Sequence, residues 1–382
     1  MMEMKLEKKM IWEESQAGRS ADPGVSTAEE VWMAKECLDH PANIKTQEWA
    51  FRMKIVWMKK IRWMKVEVSI QVMDSSRRKS VSSVTKILTQ TWNSTDFTGT
   101  KALAISLVTN TSILKLNLRD NWMEGVGGAA IADMLKENCY ITEIDLSENR
   151  MGEYGARALS SMLLENSTLF SLNLSGNHLD ERAARHLSPA LIGNQKLQHL
   201  DLSHNRFGDI AGEILGAAIA ENTAMKSLNL AWNCIRGKGA IAFAKGLEGN
   251  IFLRTLDLSY NGLGKEGAVA LEEALKHNNT LEDLNISNNR IPLEGAIHLA
   301  LGLKMNTTLR ILKMSRNPMQ SAGCFAILKS VQANPETAVE FLEFSDICVD
   351  QEFEDLFEST KETLPNLQVK HGGKINAALK KS

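Results

Sequence analysis

Apolar and polar positions along this chain alternate between two rhythms. Leu253-Arg-Thr-Leu256-Asp-Leu258 has the two-residue period of a strand, and Leu263, Gly267-Ala268, Leu271 and Leu275 then follow at helical spacing. Asn278 precedes Leu281, where the next strand begins. The same register holds after Asn149 (Gly155-Ala156, Leu159, Leu163), Asn233 (Gly239-Ala240, Phe243, Leu247) and Asn289 (Gly295-Ala296, Leu299, Leu303). An asparagine closes each pattern L-x-x-L-x-L-x-x-N and returns every 28 residues, at Asn121, Asn149, Asn177, Asn205, Asn233, Asn261, Asn289 and Asn317. A strict period of this length predicts a stacked solenoid of about eight to nine strand–helix units, because one unit cannot bury its apolar side alone.

Each position has its own physical reason. Leu256 and Leu258 are expected to point into the stack, where burial of each is worth roughly 1.5–3 kcal/mol. The asparagine sits where the chain leaves the strand with backbone groups unpaired, and its amide can bond both to that backbone and to the adjacent repeat. The small Gly-Ala pair predicts a close approach of helix to sheet. Strands and helices differ in width, so the stack should curve with a parallel sheet on its concave face.

The unit N-x-L/I-x-x-x-G-A-x-x-L-x-x-x-L resembles the ribonuclease-inhibitor class of leucine-rich repeats over roughly residues 93–350. The runs Leu116-Asn-Leu-Arg-Asp-Asn121-Trp-Met-Glu-Gly and Asp145-Leu-Ser-Glu-Asn149-Arg-Met-Gly carry that resemblance most specifically. It implies an α/β fold, a right-handed leucine-rich-repeat horseshoe.

The array can be extended at both ends. Asn93 falls one period before Asn121, and Gly99-Thr100, Leu103, Leu107 and Asn110 match the helical half of a repeat, although the strand half (Thr85, Leu88, Gln90) is poor. Position 345 is Ser rather than Asn, and Val339, Leu342 and Phe344 read as a strand displaced by about two residues. Four regions are therefore expected: an atypical segment 1–80, partly disordered or helical; the solenoid 81–350; a C-terminal cap 351–369; and a disordered basic tail 370–382. Residues 1–80 stand apart in holding five of the eight tryptophans, among them Trp49, Trp57 and Trp63. The basic, apolar stretch 47–65 there would suit a calmodulin-like receptor or an anionic membrane if helical, or an N-terminal cap on the first repeat.

Charge narrows the function. Lys+Arg (44) nearly equals Asp+Glu (46), so no global field points to nucleic acid. Five scattered cysteines, no apolar leader and no run of roughly 20 apolar residues lead to the expectation of a cytoplasmic protein without a membrane span. The triplets Asn166-Ser-Thr and Asn306-Thr-Thr are read as by-products of the repeat rather than glycosylation sites. Gly125-Val-Gly-Gly128 lacks the Lys-Ser/Thr of a phosphate loop, and neither H-E-x-x-H nor G-x-S-x-G occurs. No enzyme, metal or cofactor is expected.

The candidate site is the strand face. The position between the central apolar residues alternates Asn117, Asp145, Asn173, Asp201, Asn229, Asp257 and Asn285, and two residues earlier come Glu143, His199 and Asp283. Glu143, Asp145, Asp201, Asp257 and Asp283 predict an acidic strip that would receive a basic protein partner. Just before the ladder asparagines lie His204, Trp232, Tyr260 and Arg316, residue types enriched in interface hot spots, with Trp232 and Tyr260 expected as neighbours. The expected function is a monomeric, non-enzymatic scaffold binding a protein on its concave face. Two alternatives come from repeats of similar type: a small-GTPase regulator like the Ran GTPase-activating protein, and an actin-binding protein like tropomodulin.

Overall fold

The computed structural model describes residues 67–70, 84–86 and 97–375, with side chains described from Gly99 to Ile375. The expectations placed on residues 1–66, on Asn93 and on 376–382 lie outside the described residues. After helix α1 (Phe97–Leu107), strands and helices alternate: β3 (Ile113–Asn117), α2 (Glu124–Glu137), β4 (Glu143–Asp145), α3 (Gly152–Glu165), β5 (Ser171–Asn173), α4 (Glu181–Gly193), β6 (His199–Asp201), α5 (Asp209–Glu221), β7 (Ser227–Asn229), α6 (Gly237–Gly249), β8 (Thr255–Asp257), α7 (Gly264–His277), β9 (Asp283–Asn285), α8 (Leu293–Leu303), β10 (Ile311–Lys313), α9 (Gln320–Ala333), β11 (Phe341–Phe344), α10 (Gln351–Thr363) and β12 (Gln368–His371). Strands β3 to β12 form one parallel sheet in sequence order. This is an α/β leucine-rich-repeat solenoid.

The register follows the sequence period. Leu172, Leu200, Leu228, Leu256, Leu284 and Leu312 face one another across successive strands, all buried. The next partner of Leu312 is Leu342, so the expected two-residue displacement of β11 is present. Residues 335–338 absorb it: Asn334 Oδ1 still accepts from the Glu336 amide, while the Thr337 amide turns back to the Asn334 carbonyl.

Both ends differ from the boundaries set by composition. Strand β1 (Glu67–Ile70) lies within the segment 1–80, yet it pairs antiparallel with β3, and β2 (Val84–Lys86) pairs antiparallel with β1. Thr85 therefore sits in a hairpin strand opposite Ser69, not in a further parallel repeat. A hairpin supplies backbone partners to the otherwise unpaired edge of β3. At the other end, the disordered tail expected from residue 370 begins with ordered chain. Strand β12 continues to His371 and Lys374 bridges to Val349. Buried Glu354 holds that strand through His371 Nε2 and Lys374 Nζ, each at 3.3 Å, while the Phe353 ring meets Phe344 and His371 edge-on.

The glycines of the Gly-Ala pairs act differently from the expectation. A Cβ on Gly155 or Gly267 would strike the Cβ of Met151 or Leu263, the apolar residue that leads into the same helix. Between α5 and α6 the approach is backbone to backbone. A Cβ on Gly212 would lie 2.8 Å from the Gly239 carbonyl oxygen, and one on Gly246 would overlap the Gly216 carbonyl. Gly to Ala inside a helix normally stabilises by about 0.5–1 kcal/mol. Gly246→Ala should reverse that sign, destabilising by about 1–3 kcal/mol because no flexible side chain can move aside. Gly249→Ala, whose Cβ would meet Ala220 at an ordinary 4.0 Å, serves as the control in urea unfolding.

On the helical side, buried Glu272 of α7 accepts from Lys276 Nζ and pairs with His298 Nδ1 of α8, both at 2.6 Å. Burial pushes this carboxyl up, but the bonds from Lys276 and His298 outweigh it and hold it below its ordinary value of 4.5. A carboxylate with a depressed folded value adds stability above the unfolded value, and that stability is lost as pH falls below about 4.5. Glu272→Gln should therefore flatten the fall of the urea midpoint on acidification below pH ~4.5. An unchanged acid limb would remove Glu272 from the account.

Candidate protein-binding surface

The repeat asparagines are wholly committed to structure. Asn205 Oδ1 accepts from the amides of Asn177 and Leu179 in the preceding repeat, and its Nδ2 reaches the carbonyls of Leu174, Leu202 and Ser203. Asn149 makes the equivalent bonds to Asn121, Met123, Leu118, Leu146 and Ser147. A second ladder runs along the helix C-termini. Asn278 Oδ1 accepts from the amides of Thr280 and Leu281, which start the next strand, and its Nδ2 donates to Leu247 and Asn250 carbonyls one repeat back. The same bonds bury Asn166 and Asn306 at the two glycosylation triplets, so neither amide is available in the folded chain. The 28-residue spacing of these asparagines carries the signal for this ladder in the sequence.

The strand-face carboxylates prove to be heavily engaged. Oδ1 of Asp145, Asp201 and Asp257 accepts from the amide of Ser147, Ser203 and Ser259, closing the turn that leaves each strand. Asn229 Nδ2 donates to the other oxygen of Asp201, and Asn285 does the same for Asp257. The Asn/Asp alternation is thus partly a lateral hydrogen-bonded ladder. Glu143 pairs with Lys115 at 2.8 Å and Asp283 with Lys313 at 3.2 Å. His199 lies edge-on against Phe170.

His204, Trp232, Tyr260 and Arg316 come together as a single row. The His204 and Trp232 rings stack at 5.4 Å and those of Trp232 and Tyr260 at 3.9 Å. Arg316 reaches across Asn288 to donate from Nη1 to the Tyr260 hydroxyl at 2.9 Å, while its Nε bonds Asp346. These bonds raise the Arg316 guanidinium above its ordinary value, Asp346 contributing most. Trp232 keeps 49% of its surface exposed, so the ring does not fold onto its own loop.

Backbone geometry makes the choice of residues informative. His204, Trp232, Tyr260, Asn288 and Arg316 all have φ between 53 and 59°. Asn or Gly occupies that left-handed region readily, whereas a bulky side chain pays roughly 1–2 kcal/mol. Asn288 and Gly176 fill the position in other repeats without such strain, while Asp120 and Glu148 share the same left-handed φ at 56 and 58°. One row further on, the sequence reading missed Arg150, whose guanidinium lies 3.6 Å over the Trp122 ring, and the exposed cations Arg206 and Arg290. Their signal was present as a 28-residue row of Arg150, His178, Arg206 and Arg290 following the ladder asparagines.

A leucine-rich-repeat family model matches residues 109–132, 137–160, 193–214, 221–244, 249–271, 277–300 and 306–328. This is a leucine-rich-repeat protein. Its runs at Leu116–Gly125 and Asp145–Gly152 resemble leucine-rich repeat-containing protein 74, and human leucine-rich repeat-containing protein 74B is 54% identical over 50 residues, 13% of each chain. The match spans about an eighth of that relative's length, 13%. Among solved structures, the leucine-rich-repeat protein is similar to one titled Leiomodin-1 Actin-Binding Site 2, at 19% identity and TM-score 0.33, covering 49% of this chain and 91% of that one. It is also similar to an internalin from Listeria monocytogenes, at 14% identity and TM-score 0.37, covering 73% and 87%. Among the described residues no helix is long and apolar enough to cross a membrane, and no group of three or more His, Cys, Asp or Glu could hold a metal.

Proposed function

We propose that this leucine-rich-repeat protein is a non-enzymatic scaffold that binds a protein partner across the concave strand face and the strand-exit rim. The observation that carries the reading is the stacked row His204–Trp232–Tyr260, tied by Arg316, in backbone conformations that disfavour bulky side chains. The left-handed turn recurs in every repeat from Asp120 to Arg316, and what sets this row apart is that three rings fill consecutive places on the surface. The row is also preorganised. Rings already stacked and hydrogen-bonded lose little freedom on binding.

The remaining candidates contribute unequally on this reading. Glu143 and Asp283 are neutralised by lysines of neighbouring strands, so their contact with a partner is weak. Asp145, Asp201 and Asp257 keep their charge and would attract basic groups of the same partner, although their oxygens also hold the strand turns. The test is affinity capture with the full chain, compared with Trp232→Asn/Tyr260→Asn and with Asp201→Asn/Asp257→Asn. The asparagine at 201 and 257 keeps the acceptor for the serine amide and removes the charge together with the acceptor used by Asn229 and Asn285. Loss of a partner from the aromatic variant supports the reading. Identical capture by the wild type and both variants ends it.

A further inference from the structure

The strand-exit rim beside the aromatic row carries exposed guanidinium groups without a carboxylate partner among the described residues. In the turns after the ladder asparagines, Arg206 and Arg290 stand at either side of Cys234 and Gly262, one residue per repeat. The turns are knit together: the Cys234 amide donates to the Phe207 carbonyl at 2.8 Å, and Arg236 bridges in parallel to Gly262. The Arg236 side chain lies across Gly262, where a Cβ would meet its Cγ at 2.8 Å and its Nε at 2.9 Å. Gly262 therefore leaves room for the guanidinium to lie flat along the rim.

Arg206, Arg236 and Arg290 are all exposed, and none forms a side-chain ion pair or hydrogen bond among the described residues. Elsewhere Arg254, Arg310 and Arg316 each carry a carboxylate, from Glu282, Glu340 and Asp346. Three carboxylates border the row. Asp209 spends Oδ1 on the Arg236 amide at 2.9 Å, Glu181 lies beside Gly208 and Glu266 beside Gly264. None of them forms an ion pair with the three guanidinium groups among the described residues. Beside the row, Trp232 and Tyr260 use their faces on one another, so they present ring edges outward. Ring edges carry the positive side of the aromatic quadrupole and favour oxygen atoms.

We infer that this row of arginines binds an extended acidic peptide segment of the partner, with carboxylates on Arg206, Arg236 and Arg290 and main chain along the Trp232–Tyr260 edge. The inference rests on the scaffold reading and adds the sign of the partner at this rim, opposite to the basic groups expected at the strand face. Planar guanidinium groups take carboxylates bidentately, which favours side-chain carboxylates over diffuse negative charge. Arg206 and Arg290 are three repeats apart, about 14 Å at sheet spacing. An extended chain covers that in about four residues, and side chains four apart lie on the same face. The segment should therefore carry acidic residues at that separation.

The test is fluorescence anisotropy of a fluorescein-labelled peptide of about a dozen alternating Glu and Tyr residues, with Gln–Tyr and Lys–Tyr peptides beside it, titrated with the full chain. The Glu–Tyr peptide is expected to bind in a salt-sensitive manner. The variant Arg206→Gln/Arg236→Gln/Arg290→Gln should weaken that binding about tenfold or more while its thermal unfolding is unchanged. Equal binding by the variant, no binding of Glu–Tyr, or preference for Lys–Tyr would each overturn the inference. Partner capture that fails in Trp232→Asn/Tyr260→Asn but survives in the arginine variant would remove the acidic segment and leave the scaffold reading standing.

Discussion

Asn205→Ala is expected to destabilise the solenoid by on the order of 3–5 kcal/mol, read as a lower urea midpoint with little change in slope. The side chain is buried, and its amide serves five backbone groups: the carbonyls of Leu174, Leu202 and Ser203 and the amides of Asn177 and Leu179. Alanine orphans the Leu174 carbonyl and the amides of Asn177 and Leu179, while the Leu202 and Ser203 carbonyls keep Asn233 Nδ2 and the Gly176 amide; each orphaned group costs about 1–3 kcal/mol. Two of the five belong to the strand exit of its own repeat, and the other three to the preceding repeat. The loss therefore falls on the interface between repeats, the term that gives a solenoid its cooperativity. Asn205→Asp should be comparably harmful. It keeps the acceptor but has no N–H for three carbonyls and places a charge among them. A loss below about 1 kcal/mol for Asn205→Ala would mean that water takes over the ladder.

The second large effect is on binding. Trp232→Asn/Tyr260→Asn is expected to weaken the captured partner by about 30-fold or more, corresponding to ~2 kcal/mol for the loss of two hot-spot aromatics. Asparagine is the informative replacement because Asn288 already occupies the next position of the row at φ 53°. It relieves the strain of a bulky residue in the left-handed region, so stability should hold or rise slightly even though stacking is lost. Alanine would confound the two, since it keeps the strain and removes the contacts. Titration calorimetry of the captured partner, set beside thermal unfolding of the same samples, separates the effects. Weakened binding with an unchanged or higher Tm supports a surface role. A parallel loss of Tm and affinity would make the stack a structural element.

The period of 28 residues, read with the strand and helix spacings, was enough to place each buried leucine and each ladder asparagine, because a repeat stacks only on its own likeness. It also located the shift at β11, since Leu342 and Phe344 kept their alternation after the asparagine had gone. The ends were less legible. The hairpin strand Glu67–Ile70 joins the sheet by antiparallel backbone pairing, which leaves no period to follow, and β12 is held by Glu354 and Phe353 from a neighbouring helix. At the candidate surface, the sequence by itself determined which side chains share a row, and so it foresaw Trp232 beside Tyr260. Only the tertiary structure decided their standing. It showed Asp201 and Asp257 bonded laterally by Asn229 and Asn285, Arg316 reaching over Asn288 to Tyr260, and Arg206, Arg236 and Arg290 without an ion pair among the described residues. The physical reason is that a repeat fixes backbone positions one unit at a time. Pairing of charges and stacking of rings depend on where side chains from different units meet, and the period does not encode that.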